Sequence, residues 1–151
     1  MEKEQLAQIL AELVPGLEIN SSKEILEVKA ASNTWHELAG KLASDPRLQF
    51  NYLHNLYGVD WQTYFIVIAY LDSTILGYSL IVRTEVADHD NPSLDTISDI
   101  WITANFQERE IYDLLGISFS NHPDLRRLFL EDGWGFPLRK DYKDDINFIE
   151  R

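Results

Sequence analysis

The chain has 151 residues, a mass of 17.5 kDa, 45% hydrophobic residues and a formal net charge of −12. This composition is typical of one globular domain rather than of a disordered chain. The negative charge argues against nucleic acid or anionic lipid as a ligand, because both carry the same sign. The sequence contains no cysteine, which excludes disulfides, cysteine-held iron–sulfur clusters and thiol catalysis. The longest apolar run, residues 65–71, is much shorter than the roughly 20 residues of a membrane-spanning helix.

The first third of the sequence predicts two amphipathic helices with two short strands between them. Apolar residues recur at helical spacing over residues 2–14 and stop before a Pro-Gly pair. Residues 17–22 and 25–30 are predicted as strands. The pattern Thr34-x-x-Glu37 is a capping box, so a second helix is expected to begin at Thr34, with its histidine, His36, facing solvent.

The middle of the sequence is rich in strand-forming residues. Three runs, residues 50–59, 63–71 and 75–84, are predicted as neighbouring strands, the last two forming an antiparallel hairpin. The second run is apolar on both sides of its alternation, which is typical of a strand in the interior of a sheet. Residues 86–93, which include His89, are expected to form an exposed, flexible loop.

A third helix is predicted from Thr103 or Asn105 to about Leu115, with Gly116 as its left-handed end. The sequence therefore predicts an α+β fold. Two N-terminal helices surround a largely antiparallel sheet of about four strands, followed by a helix and an extended C-terminal arm. Residues 1–121 are expected to form the α/β body, and residues 122–151 an arm that belongs to the same domain.

The last third concentrates charged and aromatic residues. Residues 122–143 carry five basic and four acidic residues, whereas residues 1–121 carry seven and eighteen. The arm is thus nearly neutral on an acidic protein, as a contact surface for another protein would be. Two interpretations of its aromatic residues, Trp134 and Phe136, remain open: they fold back onto the sheet, or they anchor in a groove of a partner.

Signals for an active site are weak. No histidine pair has metal-ligand spacing, and no phosphate-binding loop or nucleophile elbow is present. Glu108, Glu110 and Asp113 could form the acid/base cluster of a soluble hydrolase. On a helix, however, Glu108 and Glu110 point about 200° apart, so a structural role is favoured over this alternative.

The stretch from Asp99 to Tyr142 resembles the C-type, or 30 kDa-type, subunit of respiratory complex I, the proton-translocating NADH:quinone oxidoreductase. The resemblance is carried by EREIYDLLGISFSNHPDLRR at residues 108–127, and by Trp134 followed by PLRKDY at residues 137–142. Residues 1–95 resemble the family only in layout. Phe106 stands where a tryptophan is common, Gly133 lengthens the link before Trp134, and Lys143 replaces a frequent proline.

The resemblance implies a non-catalytic subunit of the peripheral arm that supports assembly beside the quinone-site subunit. It implies D-like, B-like and I-like partner subunits, with iron–sulfur clusters and FMN in partner chains, and NADH and quinone handled by the assembly. No catalytic, cofactor-binding or metal-binding residue is expected in this chain. Its expected place is the cytoplasmic face of the cell membrane, as a peripheral protein without a direct membrane span. The alternative is the equivalent subunit of a membrane-bound energy-converting [NiFe] hydrogenase.

The predicted partner interface is formed by the charged motif and the arm. Replacing Trp134 and Arg139 together by alanine is expected to leave the domain folded and to weaken assembly. The predicted interface residues are Glu108, Arg109, Glu110, Asp113, His122, Asp124, Arg126, Arg127, Trp134, Phe136, Pro137, Leu138, Arg139, Lys140, Asp141 and Tyr142.

Overall fold

The computed structural model describes residues 3–126 and 135–140. Within these ranges the chain forms three α-helices and seven β-strands, and the α+β prediction is confirmed. In chain order the elements are α1 (Lys3–Leu13), β1 (Glu18–Asn20), β2 (Glu27–Ala30), α2 (Trp35–Ser44), β3 (Tyr52–Asp60), β4 (Phe65–Ser73), β5 (Tyr78–Val86), β6 (Ser93–Asp95), α3 (Ala104–Leu115) and β7 (Ser118–Ser120).

Five strands form the main sheet, in the order β1-β2-β5-β4-β3. Three of the neighbouring pairs are antiparallel, and β2 runs parallel to β5. The sheet is therefore largely antiparallel, as predicted, and has one strand more than the expected four. β4 lies between β5 and β3, in agreement with its apolar residues on both faces.

Helices α2 and α3 pack on the same face of this sheet. Side chains of α2 line a small apolar gap together with Ala69 of β4 and Val82 of β5. Two residues along β4, Val67 stands opposite Gly58 of β3. A Cβ atom on Gly58 would lie 2.8 Å from Leu115 Cδ1 of α3. The absence of a side chain at Gly58 thus lets α3 approach the sheet closely.

A second, smaller sheet pairs β6 with β7 in parallel, with Leu94 opposite Phe119. The sequence pattern indicates a short strand or turn near β6, but no strand was predicted at β7. This sheet brings the segment after α3 back beside the segment before it. Both ends of α3 are thereby tied to one another.

Two local predictions were wrong. The Thr34 hydroxyl donates to the Ala31 carbonyl oxygen (3.0 Å), and it does not accept a hydrogen bond from the first turn of α2, all of which the structure describes. A 3₁₀ turn over Ser32–Thr34 precedes α2 and supplies a backbone partner, Ser32 O, for the Trp35 N–H, so no capping box forms. His89 is also not an exposed loop residue: its ring stacks on Phe65, with 4.4 Å between the ring centroids.

Among residues 3–126 and 135–140, no helix combines the length and the apolar character that crossing a lipid bilayer requires.

Candidate functional site

Glu108 is fully buried at the beginning of α3, although it belongs to the charged motif. Its carboxylate accepts one hydrogen bond from the Thr96 hydroxyl (2.5 Å) and one from the Ile97 N–H (2.9 Å). Burial raises the pKa of Glu108 to about 7; the two hydrogen bonds lower it, and the nearby Asp99 carboxylate raises it further. Glu108 therefore fastens α3 to the turn that follows β6.

The buried side chain of His122 lies beside Glu108. Its Nδ1 accepts a hydrogen bond from the Asp124 N–H (3.0 Å), and its Nε2 lies 3.1 Å from the Asn105 carbonyl oxygen. This pattern of partners assigns the neutral tautomer with the proton on Nε2. Nε2 is also 3.8 Å from Glu108 Oε1. The His-Pro turn is thereby attached to the first turn of α3.

The three carboxylates considered for a hydrolase do not form one site. Glu108 and Asp113 are buried, whereas Glu110 is exposed on another side of the helix. This arrangement agrees with the angle of about 200° that the helical spacing predicts for Glu108 and Glu110. Among the described residues, no group of three or more His, Asp or Glu side chains is placed to hold a metal ion.

The first residues of the arm, 135–140, lie against the C-terminal end of α3. The Leu138 N–H donates to the Leu114 carbonyl oxygen (2.9 Å), and Arg139 Nε donates to the Leu115 carbonyl oxygen (2.5 Å). The last carbonyls of a helix lack partners within the helix, and a positive charge there interacts favourably with the helix dipole. Arg139 therefore caps α3.

Gly116 makes room for this contact. It adopts the predicted left-handed conformation, with φ of 80°. A Cβ atom at this position would lie 2.6 Å from Phe136 Cδ2 and 2.7 Å from Arg139 Nη2. The Arg139 guanidinium also lies over the rings of Phe136 (4.9 Å) and Phe65 (5.3 Å).

Asp60, at the end of β3, holds the next residue of the arm. Its carboxylate accepts hydrogen bonds from the Lys140 N–H (2.8 Å) and the Gln62 N–H (2.8 Å), and it lies 2.9 Å from His89 Nε2. Burial alone raises the pKa of Asp60, but the hydrogen bonds from Lys140, Gln62 and His89 outweigh it, and the pKa lies below its ordinary value. Asp60 thus fixes where the arm leaves the domain.

The predicted interface residues divide by their exposure. Among the buried ones, Arg109 lies against the Phe106 ring, with 5.6 Å between its Cζ and the ring centroid, and its Nε is 3.5 Å from the Arg126 carbonyl oxygen. Exposed Asp124 and Arg126 form an ion pair of 3.1 Å. Buried side chains belong to Glu108, Arg109, Asp113 and His122; half-buried residues are Phe136, Pro137 and Arg139; exposed residues are Glu110, Asp124, Arg126, Leu138 and Lys140.

Four further predicted interface residues, Arg127, Trp134, Asp141 and Tyr142, lie outside the described residues. Whether any of the sixteen contacts a partner stays a prediction. The sequence reasoning did not single out Thr96, Asp60 or His89. A signal exists for Asp60 alone: a strand that ends in aspartate commonly receives a backbone hydrogen bond from two residues further on, as Asp60 does from Gln62.

Comparison with known proteins identifies the family. Residues 28–146 match the family described as "Respiratory-chain NADH dehydrogenase, 30 Kd subunit". The C subunit of the NADH-quinone oxidoreductase of Chlorobium phaeobacteroides is 37% identical over 134 residues, which are 86% of this chain and 80% of that protein. The C subunit of the same enzyme of Burkholderia cenocepacia is 40% identical over 127 residues, 78% of this chain and 62% of that protein.

A longer relative and a solved structure extend the comparison. The C/D subunit of the NADH-quinone oxidoreductase of Phocaeicola vulgatus is 43% identical over 114 residues, which are 74% of this chain but 22% of that protein. A chain in the structure of the membrane-bound sulfane sulfur reductase, an archaeal respiratory membrane complex, has the same fold. Its TM-score is 0.82 at 21% identity, and the match covers 95% of this chain and 86% of that one. The chain belongs to the family of the 30 kDa subunit of the respiratory-chain NADH dehydrogenase, complex I.

Proposed function

We propose that this chain is a non-catalytic subunit of the peripheral arm of a complex I-type NADH:quinone oxidoreductase, and that it supports assembly beside the quinone-site subunit. The observation that carries the proposal is the internal use of the charged motif. Both oxygens of the fully buried Glu108 carboxylate accept hydrogen bonds from this chain's own residues, Thr96 and Ile97. A carboxylate in that position stabilises the fold and has no open side toward a substrate.

The arm is the part of this chain that we assign to the D-like partner, which is the quinone-site subunit. One side of the arm is used internally, because Arg139 and the Lys140 N–H bind α3 and Asp60. The other side presents Leu138, which is 48% exposed, and the Lys140 side chain, which stands over the exposed Trp61 ring (5.8 Å). An apolar side chain next to a cation is suited to a partner groove with an acidic rim.

B-like and I-like partners complete the proposed surroundings. Iron–sulfur clusters and FMN belong to partner chains in this proposal, since this chain has no cysteine to hold a cluster. NADH and quinone are handled by the assembly, on the cytoplasmic face of the cell membrane, and this chain is attached there through its partners.

Affinity purification tests the proposed assembly. The tagged full chain is recovered from detergent-solubilised native membranes, and the co-purifying proteins are identified by mass spectrometry. We expect D-like, B-like and I-like proteins together with FMN-dependent NADH oxidation. A large subunit with nickel-binding cysteine pairs and no NADH-oxidising subunit would instead assign the chain to the hydrogenase alternative. The relatives at 37% and 40% identity, both named for NADH-quinone oxidoreductase, favour the first result.

A second purification tests the arm itself. Leu138→Ser combined with Lys140→Glu is expected to lower the recovery of the D-like partner by about tenfold, because an anchoring apolar contact and a complementary charge are lost. Ile75→Ser is the matched control, since Ile75 is an equally accessible apolar residue in the β4–β5 turn. Equal recovery with the arm variant and with the control would contradict the role of the arm.

A further inference from the structure

The most exposed large apolar side chains among the described residues stand together at the N-terminal end of α3. Ile102 is 84% exposed and Phe106 is 63% exposed. Thr103 between them has helical backbone angles, φ of −64° and ψ of −21°, so the two residues are one helical turn apart and share a face. Single exposed apolar residues are common on soluble proteins, but two neighbouring ones next to open cavities indicate a contact surface.

Two cavities flank Ile102. One, of about 550 Å³, is lined by Asp95, Asp99 and Asn105 among others, and the second, of about 520 Å³, by Tyr52. Ile102 lines both cavities and forms the ridge between them. Tyr52 is itself 45% exposed, so the apolar surface continues from α3 onto the first residue of β3.

The charge beside this ridge is negative. Asp99 is exposed, and its partner is the exposed His36, with 2.8 Å between His36 Nε2 and the carboxylate. The Asp95 carboxylate makes neither a hydrogen bond nor an ion pair with any residue in the described part of the chain. The first backbone donors of α3 are not open to an anion, because the Ala104 N–H and Asn105 N–H donate to the carbonyls of Trp101 and Ile102. The neighbouring cation, Arg109, lies against the Phe106 ring.

We propose that Ile102 and Phe106, with Asp95 and Asp99 beside them, form a docking surface for a protein partner that presents an Arg or Lys side chain next to an apolar side chain. The inference rests on the proposed function, since it needs a multisubunit assembly, and it adds a contact that the arm does not make. The 12 residues of α3 are about 18 Å long, and the arm binds the opposite end of the helix. The two surfaces are thus far enough apart to engage at the same time.

Co-purification from native membranes tests this surface. The full tagged chain carrying Ile102→Ser and Phe106→Ser is compared with wild type and with the control Ile75→Ser, which removes an isoleucine that is 62% exposed. We expect about tenfold lower recovery of partner subunits with the double variant and wild-type recovery with the control. The melting temperature of the purified chain is expected to stay unchanged, because the replaced side chains are exposed.

A second variant tests the charge independently of the apolar residues. Asp95→Asn with Asp99→Asn is expected to lower recovery about threefold at low salt, and to remove most of the loss that added salt causes for wild type. Recovery with Ile102→Ser and Phe106→Ser equal to that with Ile75→Ser, or an unchanged salt dependence with the asparagine variant, would overturn the inference. If wild type recovers the other proteins of complex I and the double variant does so equally, the proposed function stands and only this surface fails. If wild type recovers none, both fail.

Discussion

Two buried carboxylates stand near opposite ends of α3, and their pKa values shift in opposite directions. Glu108, near the beginning of the helix, has its pKa raised to about 7. Asp60, beside the end of the helix, has its pKa lowered. Both are almost inaccessible to solvent, with 0% and 4% of the residue exposed, so burial alone does not explain the difference.

The number and kind of hydrogen-bond donors explain it. Glu108 receives one hydroxyl and one backbone N–H, and the Asp99 carboxylate opposes its ionisation. Asp60 receives two backbone N–H groups and lies next to His89. Three partners outweigh the cost of desolvating a charge, whereas two partners next to another carboxylate do not. The two groups therefore have different roles: Glu108 joins elements within the body, and Asp60 holds the arm as an anion.

The pH dependence of Glu108 has the largest expected effect. Its pKa is about 7 in the folded state and near 4.5 otherwise, so the folded protein binds more protons between these values. The free energy of unfolding is therefore expected to fall as the pH rises from about 4.5 to about 7, by on the order of 3 kcal/mol from this group. Glu108→Gln removes this slope. Urea unfolding of wild type and variant across that pH range checks it, and parallel pH profiles would show that Glu108 does not titrate there.

Gly116 offers a contrast at the other end of the helix. Gly116→Ala is expected to lower the free energy of unfolding by about 2 to 3 kcal/mol, because a side chain is strained at φ of 80° and its Cβ collides with Phe136 and Arg139. Gly77 has a similar φ of 76° with open space around it. Gly77→Ala is thus expected to cost only about 1 kcal/mol, for the backbone alone. Equal losses in chemical unfolding would mean that the arm does not press on Gly116.

Asp60→Asn sharpens the contrast from the side of the arm. An amide accepts the Lys140 and Gln62 N–H groups more weakly than a carboxylate does, so a loss of about 1 to 2 kcal/mol is expected. The loss should be present at neutral pH and should vanish as the pH falls through the lowered pKa of Asp60, because wild type then loses the same anion. Trypsin should cleave after Arg139 and Lys140 faster in this variant than in Asp90→Asn, which changes an exposed residue of the adjacent loop. Equal cleavage rates would mean that Asp60 does not hold the arm.

Local patterns in the sequence predicted the parts of this structure that depend on local geometry. The spacing of apolar residues placed the three helices, and the 100° step of a helix separated Glu108 from Glu110. Gly116 was predicted because a left-handed residue is what commonly ends a helix. In each case the deciding interaction lies within a few residues of chain.

The contacts that the sequence did not predict join residues far apart in the chain. Lys140 and Asp60 are 80 positions apart, and His89 reaches Asp60 over 29. Arg139 lies in a segment whose composition suits a partner interface equally well, and its place against Leu115 depends on the path of the whole chain. The expected result for Trp134 and Arg139 changes accordingly: replacing Arg139 removes a helix cap, so part of any assembly defect will come from lower stability of the domain itself.

The role of the charged motif is tested most directly by the turnover of the assembled enzyme that carries Glu108→Gln. The complex is purified with the variant chain, and NADH:quinone turnover is measured per assembled particle, with wild type in parallel. A motif that is internal to the fold predicts unchanged turnover per particle, with any loss confined to the yield of complex. Fully assembled complex with turnover reduced by tenfold or more would contradict a structural role for Glu108 and would place it in the chemistry.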